Sequence, residues 1–548
     1  MSYSHKILVI IFIVTLLYTL PAVAGDWPLG WSEITELNPV SINSSIYGVD
    51  LDGEGKLYLS WVEGRHLSTK VYYRHLKPGS EPGEPVLLAE GPSFSNSHLL
   101  VDSRGLIHLF WEGKKGNKEA VYYALVDGEG NKELGPITLV ESRYLLRDIE
   151  PVLSPDGYLY LFWSGRDPDT MSFNVNYQVM DLQGEMILGP KILTDSNEIS
   201  GRNTALVTKE RIDLFWTDYH HNTYTYYFRS FTREGKPIDD RLLIDTAGNL
   251  ESRDKPQMVE EKDETGRRIH LLWKGQSSGG GFVAARDILY YGRIGEQGLD
   301  LSGQQLVEGE VIQRPNLQLI EGNKLALAWQ DNREGALQTH YIELDGEGTR
   351  LTDPLCLDIT RRASHAPRIV IDHQGYSHVL WLAFDEEGRN YLLSMINNRF
   401  PAQPSFWYSM GLDHSQPLLH LIIVLSASFF VSLIMTGIHI WVIALAMLVL
   451  FIADRFSLLP VTRRGFLSVS LFLFSLLFLL QGLPRIIEPG AGFFYHLFTA
   501  LVASVLTVVF CRWHRNFSFS GIYRLATIVL WLFWHNYFLY LQRIIEWF

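Results

Sequence analysis

The chain has 548 residues, of which 47% are apolar, and it carries 60 Asp and Glu against 47 Lys and Arg. That length exceeds one ordinary hydrophobic core, and the charge is partitioned. Residues 1–24 hold one lysine and no acid, and residues 416–548 hold eight arginines and three acids, so 25–415 carry 38 basic against 57 acidic residues. So acidic a body excludes nucleic acid as a partner, because phosphate binding needs a basic face, and only two cysteines, Cys356 and Cys511, exclude a disulfide framework.

The N-terminus has Lys6, an apolar stretch from Ile7 to Leu20 and the small-residue site Ala22-Val23-Ala24. This is the layout of a secretory signal peptide over 1–24, with an uncleaved anchor helix as the alternative. Either version carries the acidic body out of the cytoplasm.

From residue 25 to 403 one unit of about fifty residues is written seven times. An apolar strand runs into Trp61, Trp111, Trp163, Trp216, Trp273, Trp329 and Trp381, at spacings of 50, 52, 53, 57, 56 and 52 residues. Each unit contains four strand signals, and Asp52-Gly53, Asp127-Gly128 and Asp345-Gly346 read as hairpin turns whose glycine takes the positive φ. A third-strand tyrosine recurs as Tyr73, Tyr123, Tyr177, Tyr227, Tyr291, Tyr341 and Tyr391. Bulky residues on both faces of the second strand, Ile107, Leu109 and Trp111 against His108 and Phe110, fit a sheet sandwiched between neighbours. Tryptophans and tyrosines therefore read as packing between sheets.

The expected architecture is an all-β seven-bladed β-propeller. Units one to six end in a fourth strand, at 86–88, 137–140, 192–193, 242–244, 306–307 and 355–357, whereas the seventh lacks one. The strand-like piece Glu33 to Leu37 precedes the first unit, and supplied to the last blade it closes the ring and removes open edges.

The stretch Trp329-Gln-Asp331-Asn-Arg333-Glu-Gly335, with looser copies at Trp61 to Arg65 and Trp163 to Arg166, resembles the motif that follows the second strand in sialidase-like and lectin-like propellers. The resemblance covers about 370 residues and implies an architecture rather than a family. The S-x-D-x-G-x-T-W box of sialidases and the WD40 signatures are absent, so no catalytic residue carries over.

Loops joining the fourth strand of one blade to the first of the next gather on one propeller face. There the sequence places Arg147, Arg202, Arg253 and Arg314 at comparable positions, with His98 and His365 in two other units. Guanidinium forks around a channel mouth suit carboxylates, which points to an acidic polysaccharide or an envelope protein as ligand. The alternative is pairing with loop acids such as Asp148 and Asp254. Glu112, Asp218, Asp331 and Asp385 follow tryptophans and are the acids available for general acid–base work, with a solvated loop role as the alternative. Asp50, Asp52 and Glu54 lack the distal ligand of a calcium loop, and the glycines near Ser277 are followed by no phosphate-cradle lysine. No cofactor or metal is expected.

After a Pro-rich linker over 404–417, residues 418–548 read as an all-α transmembrane domain. Apolar runs span 418–452, 466–480, 493–510 and 522–541, and a turn at Gly437 to His439 would divide the first, giving four or five helices. With five spans and an exported propeller, Arg455, Arg463, Arg464, Arg512 and Arg515 fall outside, against the positive-inside tendency; with fewer they face the cytoplasm. His535 and Asn536, inside the last run, serve either function or helix association.

The sequence thus gives a multi-pass cell-membrane protein with an exported propeller. The first reading is a binding or scaffold protein of the envelope. The alternatives are a membrane-anchored glycoside hydrolase or lyase, and the sensor or cover of a transport complex.

Overall fold

The computed structural model describes residues 28–402 except residue 29 and loop segments, the longest being 39–46, 247–253, 278–284 and 385–390. Beyond 402 it describes 417–438, 529–537 and isolated helical positions between them. The signal segment, the linker, most of the apolar runs, Arg253, Asp385 and Cys511 lie outside the described residues.

Residues Pro28–Ala402 form one compact unit. Its strands assemble into seven antiparallel four-stranded blades, the third and fourth joined into one sheet by a single parallel pairing of Phe173 with Ile199. Blades 1 to 6 run Gly48–Gly91, Ser95–Ser142, Leu146–Ile192, Ile199–Thr246, Gln257–Gly309 and Ile312–Cys356. Blade 7 has three strands of its own within Ser364–Asn397, and its outer strand is Thr35–Asn38, paired antiparallel to Tyr391–Asn397. The N-terminal strand therefore closes the ring, displaced by a residue or two from Glu33 to Leu37.

One apolar cluster fills each of the seven junctions between adjacent blades. Trp61, Trp111, Trp216, Trp273, Trp329 and Trp381 are among the largest fully buried side chains. Two polar devices recur with them. The indole N–H donates to an acid two residues on, from Trp61 to Glu63 at 2.7 Å, Trp216 to Asp218 at 2.8 Å and Trp329 to Asp331 at 3.2 Å. Third-strand tyrosines reach the outer turn of the next blade, from Tyr73 to the Gly128 carbonyl at 3.0 Å, Tyr177 to Arg233 at 2.9 Å and Tyr291 to Gly346 at 2.9 Å. A buried hydroxyl needs such a partner, so the tyrosine repeat is a clamp as well as core.

Two expectations are corrected. Tyr227 pairs with Trp216 and Tyr391 with Phe384, so they are not equivalent to the other tyrosines; Phe228 and Met395 occupy that register. In the hairpin turns positive φ falls not on the glycine after the aspartate but on the third residue after it, at Gly55, Gly130 and Gly348. The aspartate Oδ1 instead accepts backbone N–H groups two and four residues on, as Asp127 does from Glu129 and Asn131, both at 2.9 Å. The turn is an Asx-type loop rather than a two-residue hairpin.

In the second unit the helix Pro417–Ile438 opens the first apolar run. Ser428, Ser432 and Thr436 bond carbonyls four residues back and are buried on one face. Asn536 donates to Thr436 at 3.2 Å, which favours helix association as its role. Among the described residues no helix is long and apolar enough to cross a membrane, and most of the expected spans lie outside those residues.

Candidate functional site at the channel mouth

The innermost strand of every blade lines the axis of the ring, and in five blades it carries the same irregularity. Of nine non-glycine residues with positive φ, five occupy one position: Asn96, Asp148, Arg202, Arg314 and Ala366. Each lies two residues before the one paired to the residue preceding the blade's tryptophan. A left-handed non-glycine residue costs on the order of 1 kcal/mol, and such outliers concentrate where backbone is shaped for a site.

Neighbouring blades hold these bulges in place. Asp148 Oδ2 accepts the backbone N–H of Arg202 at 2.8 Å, and Asp254 Oδ1 accepts that of Arg314 at 2.8 Å. Lys274 is buried between Asp287 at 2.8 Å and Asp254 at 3.5 Å, anchoring the latter. Tyr47 OH donates to the Ala366 carbonyl at 3.0 Å across the closing junction.

The expected site residues belong to this ring, but they stand on first strands rather than in loops. Arg147 is exposed, 5.4 Å from the Phe173 ring. Arg202 lies 4.4 Å from the Tyr224 ring and donates to its hydroxyl at 3.2 Å. Burial lowers the Arg314 pKa against the pull of Asp254, and Arg368 lowers it further. His365 contacts Gln330 at 3.2 Å and packs edge-on against Tyr391, and burial followed by Arg314 lowers its pKa. His98 is held neutral, its pKa pushed down to about 3 by burial and then by Lys255 and Arg368, and its Nε2 is buried with no partner. Arg253 lies outside the described residues.

Pairing with loop acids does not absorb Arg147 or Arg202. Asp148 and Asp254 are engaged by backbone N–H groups and Lys274, and among the described residues no carboxylate lies within ion-pairing distance of the Arg147, Arg202 or Arg368 guanidiniums.

Three contributors escaped the sequence reading: Glu150, Lys255 and Arg368. Lys255 of blade 5 reaches Glu150 of blade 3 across the ring, past blade 4. Counting back thirteen residues from the tryptophan gives Gly48, His98, Glu150, Asn316 and Arg368, the inward positions of five blades. That count was the available signal for Glu150 and Arg368, and it does not reach Lys255.

The acids after the tryptophans divide into two kinds. Asp331 is buried, accepting from Trp329 and Arg333, and Asp218 accepts from Trp216 and from Ser200 at 2.5 Å, so both serve the blades. Glu112 differs. It directly follows Trp111, accepts from Asn96 at 3.0 Å, and has its pKa pushed up to about 7 by burial, with Asp148 raising it and Asn96 and Lys255 opposing. It is a carboxyl beside the arginine ring that exchanges its proton near neutrality. No metal-holding group of acids, histidines and cysteines occurs among the described residues.

No family model matches the chain, and no curated protein is similar enough to match. Similar solved structures include the NanB sialidase from Streptococcus pneumoniae, at 12% identity and TM-score 0.35 over 67% of this chain and 70% of that one. An endo-arabinase from Bacteroides thetaiotaomicron is 11% identical, with TM-score 0.29 over 68% and 97%. The polysaccharide lyase Uly1 is 11% identical, with TM-score 0.43 over 66% and 90%. All have propeller-type folds, and at TM-scores below 0.5 these likenesses carry no argument about this chain.

Proposed function

We propose that the propeller binds an acidic polymer, a carboxylate-bearing glycan of the cell envelope, at the channel mouth, on an exported domain anchored by the C-terminal apolar helices. One observation carries this reading: Arg147, Arg202 and Arg368 stand on the first strands of three blades with no carboxylate at ion-pairing distance among the described residues, where the backbone is bent in five blades. Guanidiniums held over Phe173 and Tyr224 are pre-oriented, which lowers the entropy lost on engaging a carboxylate. The neutral His98 adds an uncharged donor or acceptor for sugar hydroxyls.

Equilibrium binding of the full chain in detergent to polygalacturonate and to a neutral polysaccharide tests this. The acidic polymer alone should bind, weakening with salt, and each of R147A and R368A should cost roughly tenfold, as a charged hydrogen bond does. Equal binding by both variants and the parent would end the proposal.

Glu112 favours a second reading, in which the same face hydrolyses or eliminates across a glycosidic bond. A carboxyl titrating near neutrality is suited to give or take a proton. Here E112Q should retain the polymer and lose all product release, and unchanged turnover would remove Glu112 from the chemistry.

A further inference from the structure

We propose, resting on the reading of the channel mouth as a glycan site, that Lys255 is its principal cation and that Glu150 holds, in the free protein, the place taken by a uronate carboxylate of the ligand.

The backbone sets Lys255 where it can act. It lies two residues before the first strand of blade 5, and the Thr204 hydroxyl of blade 4 fixes that approach by donating to the Pro256 carbonyl at 2.6 Å. From there the side chain passes blade 4 and ends on the Glu150 carboxylate of blade 3. Its charge also reaches blade 2. After burial, Lys255 and then Arg368 of blade 7 lower the His98 pKa, and Lys255 opposes the burial that raises Glu112. Blades 2, 5 and 7 are not neighbours, so charges felt among them meet near the axis of the ring.

The Lys255–Glu150 pair differs from the ion pairs that hold blades together. Lys274 is 8% exposed, lies between Asp287 and Asp254, and donates to the Ile312 carbonyl at 2.6 Å. Asp213 is buried and engaged by Ser230, Arg211 and Arg267. Lys255 and Glu150 are 27% and 25% exposed, and among the described residues neither side chain has a second polar partner. An ion pair open to water and unsupported on both sides adds little stability, so a carboxylate that offers Lys255 the same contact displaces Glu150 at small cost. A polyuronate carries a carboxylate on every sugar and meets Arg368 as well, which Glu150 does not. The pair also selects: a neutral glycan gives Lys255 nothing in exchange for Glu150.

Binding of polygalacturonate to the full chain in detergent, combined with acetylation of lysines read by mass spectrometry, tests this. E150Q frees Lys255 and should bind about fivefold more tightly than the parent; its Lys255 should label faster, and the polymer should protect Lys255 while the exposed Lys209 stays labelled. K255M should weaken binding about tenfold. D195N removes a charge from the exposed linker between blades 3 and 4 and should leave the affinity as it is, separating displacement from general electrostatics. Polymer bound without protecting Lys255, full affinity in K255M, or an E150Q affinity no higher than that of D195N would overturn the proposal and leave the glycan reading standing. Absence of binding to the parent and E150Q alike would remove both.

Discussion

Replacing Glu112 by glutamine should stabilise the propeller above neutral pH and leave it unchanged in acid. The carboxyl is partly withdrawn from water, and its pKa rises from an ordinary 4.5 to about 7. At 1.36 kcal/mol per unit this amounts to about 3 kcal/mol. The sign follows from proton uptake. Below pH 4.5 the group is protonated whether folded or unfolded and contributes no difference; between 4.5 and 7 the unfolded chain releases a proton that the folded chain retains, so stability falls as pH rises. Above 7 the full penalty is present. Glutamine keeps an acceptor for Asn96 and carries no charge, so denaturant unfolding followed by tryptophan fluorescence should show E112Q and the parent alike at pH 4 and separated by up to about 3 kcal/mol at pH 8. A separation independent of pH, or a less stable E112Q at pH 8, would refute the burial argument.

Two further outcomes concern the ring. Tyr291→Phe removes a hydroxyl shared by the Gly346 carbonyl and His270 Nδ1; the carbonyl keeps Arg293, but leaving the buried His270 Nδ1 unsatisfied should cost about 1 kcal/mol in the same unfolding measurement, and no loss would show that the tyrosine is only core. Leu37→Ala, at a site 1% exposed on the closing strand, should cost roughly 3 kcal/mol. If the N-terminal strand closes the ring, the variant should also self-associate through the opened edge of blade 7 on gel filtration; a monomeric variant of unchanged stability would place closure elsewhere.

The blade count and the closing strand were legible because both follow from period and length: seven tryptophans at even spacing, six fourth strands and one unpaired segment. The tyrosine register failed at Tyr227 because the sequence YTYYF offers four aromatic rings within five residues, and only pairing to Phe215 or Trp216 separates them. Turn geometry failed for a related reason. Asp-Gly is a hairpin signal by itself, yet the aspartate captures two N–H groups downstream and moves the left-handed residue to the next glycine.

The site was half legible. Arg147, Arg202 and Arg314 stood out by recurrence, but Glu150 and Arg368 share no residue type and only a position, opposite the residue before the tryptophan, while Lys255 precedes the first strand of its blade. Partners separate Glu112 from Asp331, which accepts from Trp329 and Arg333 while Glu112 accepts from Asn96, and sequence spacing does not show partners. The acidic composition of 25–415 also masked the site, since a few arginines on one end leave the net charge of the body negative.

Position on the ring tests the central claim most directly. A uronate oligomer carrying a photoreactive group, bound to the full chain and cross-linked, should attach to peptides containing Arg147, Arg202 or Arg368 at the channel mouth, and excess untagged oligomer should compete it away. Attachment confined to the outer strands of the blades, or attachment that untagged oligomer does not displace, would contradict it.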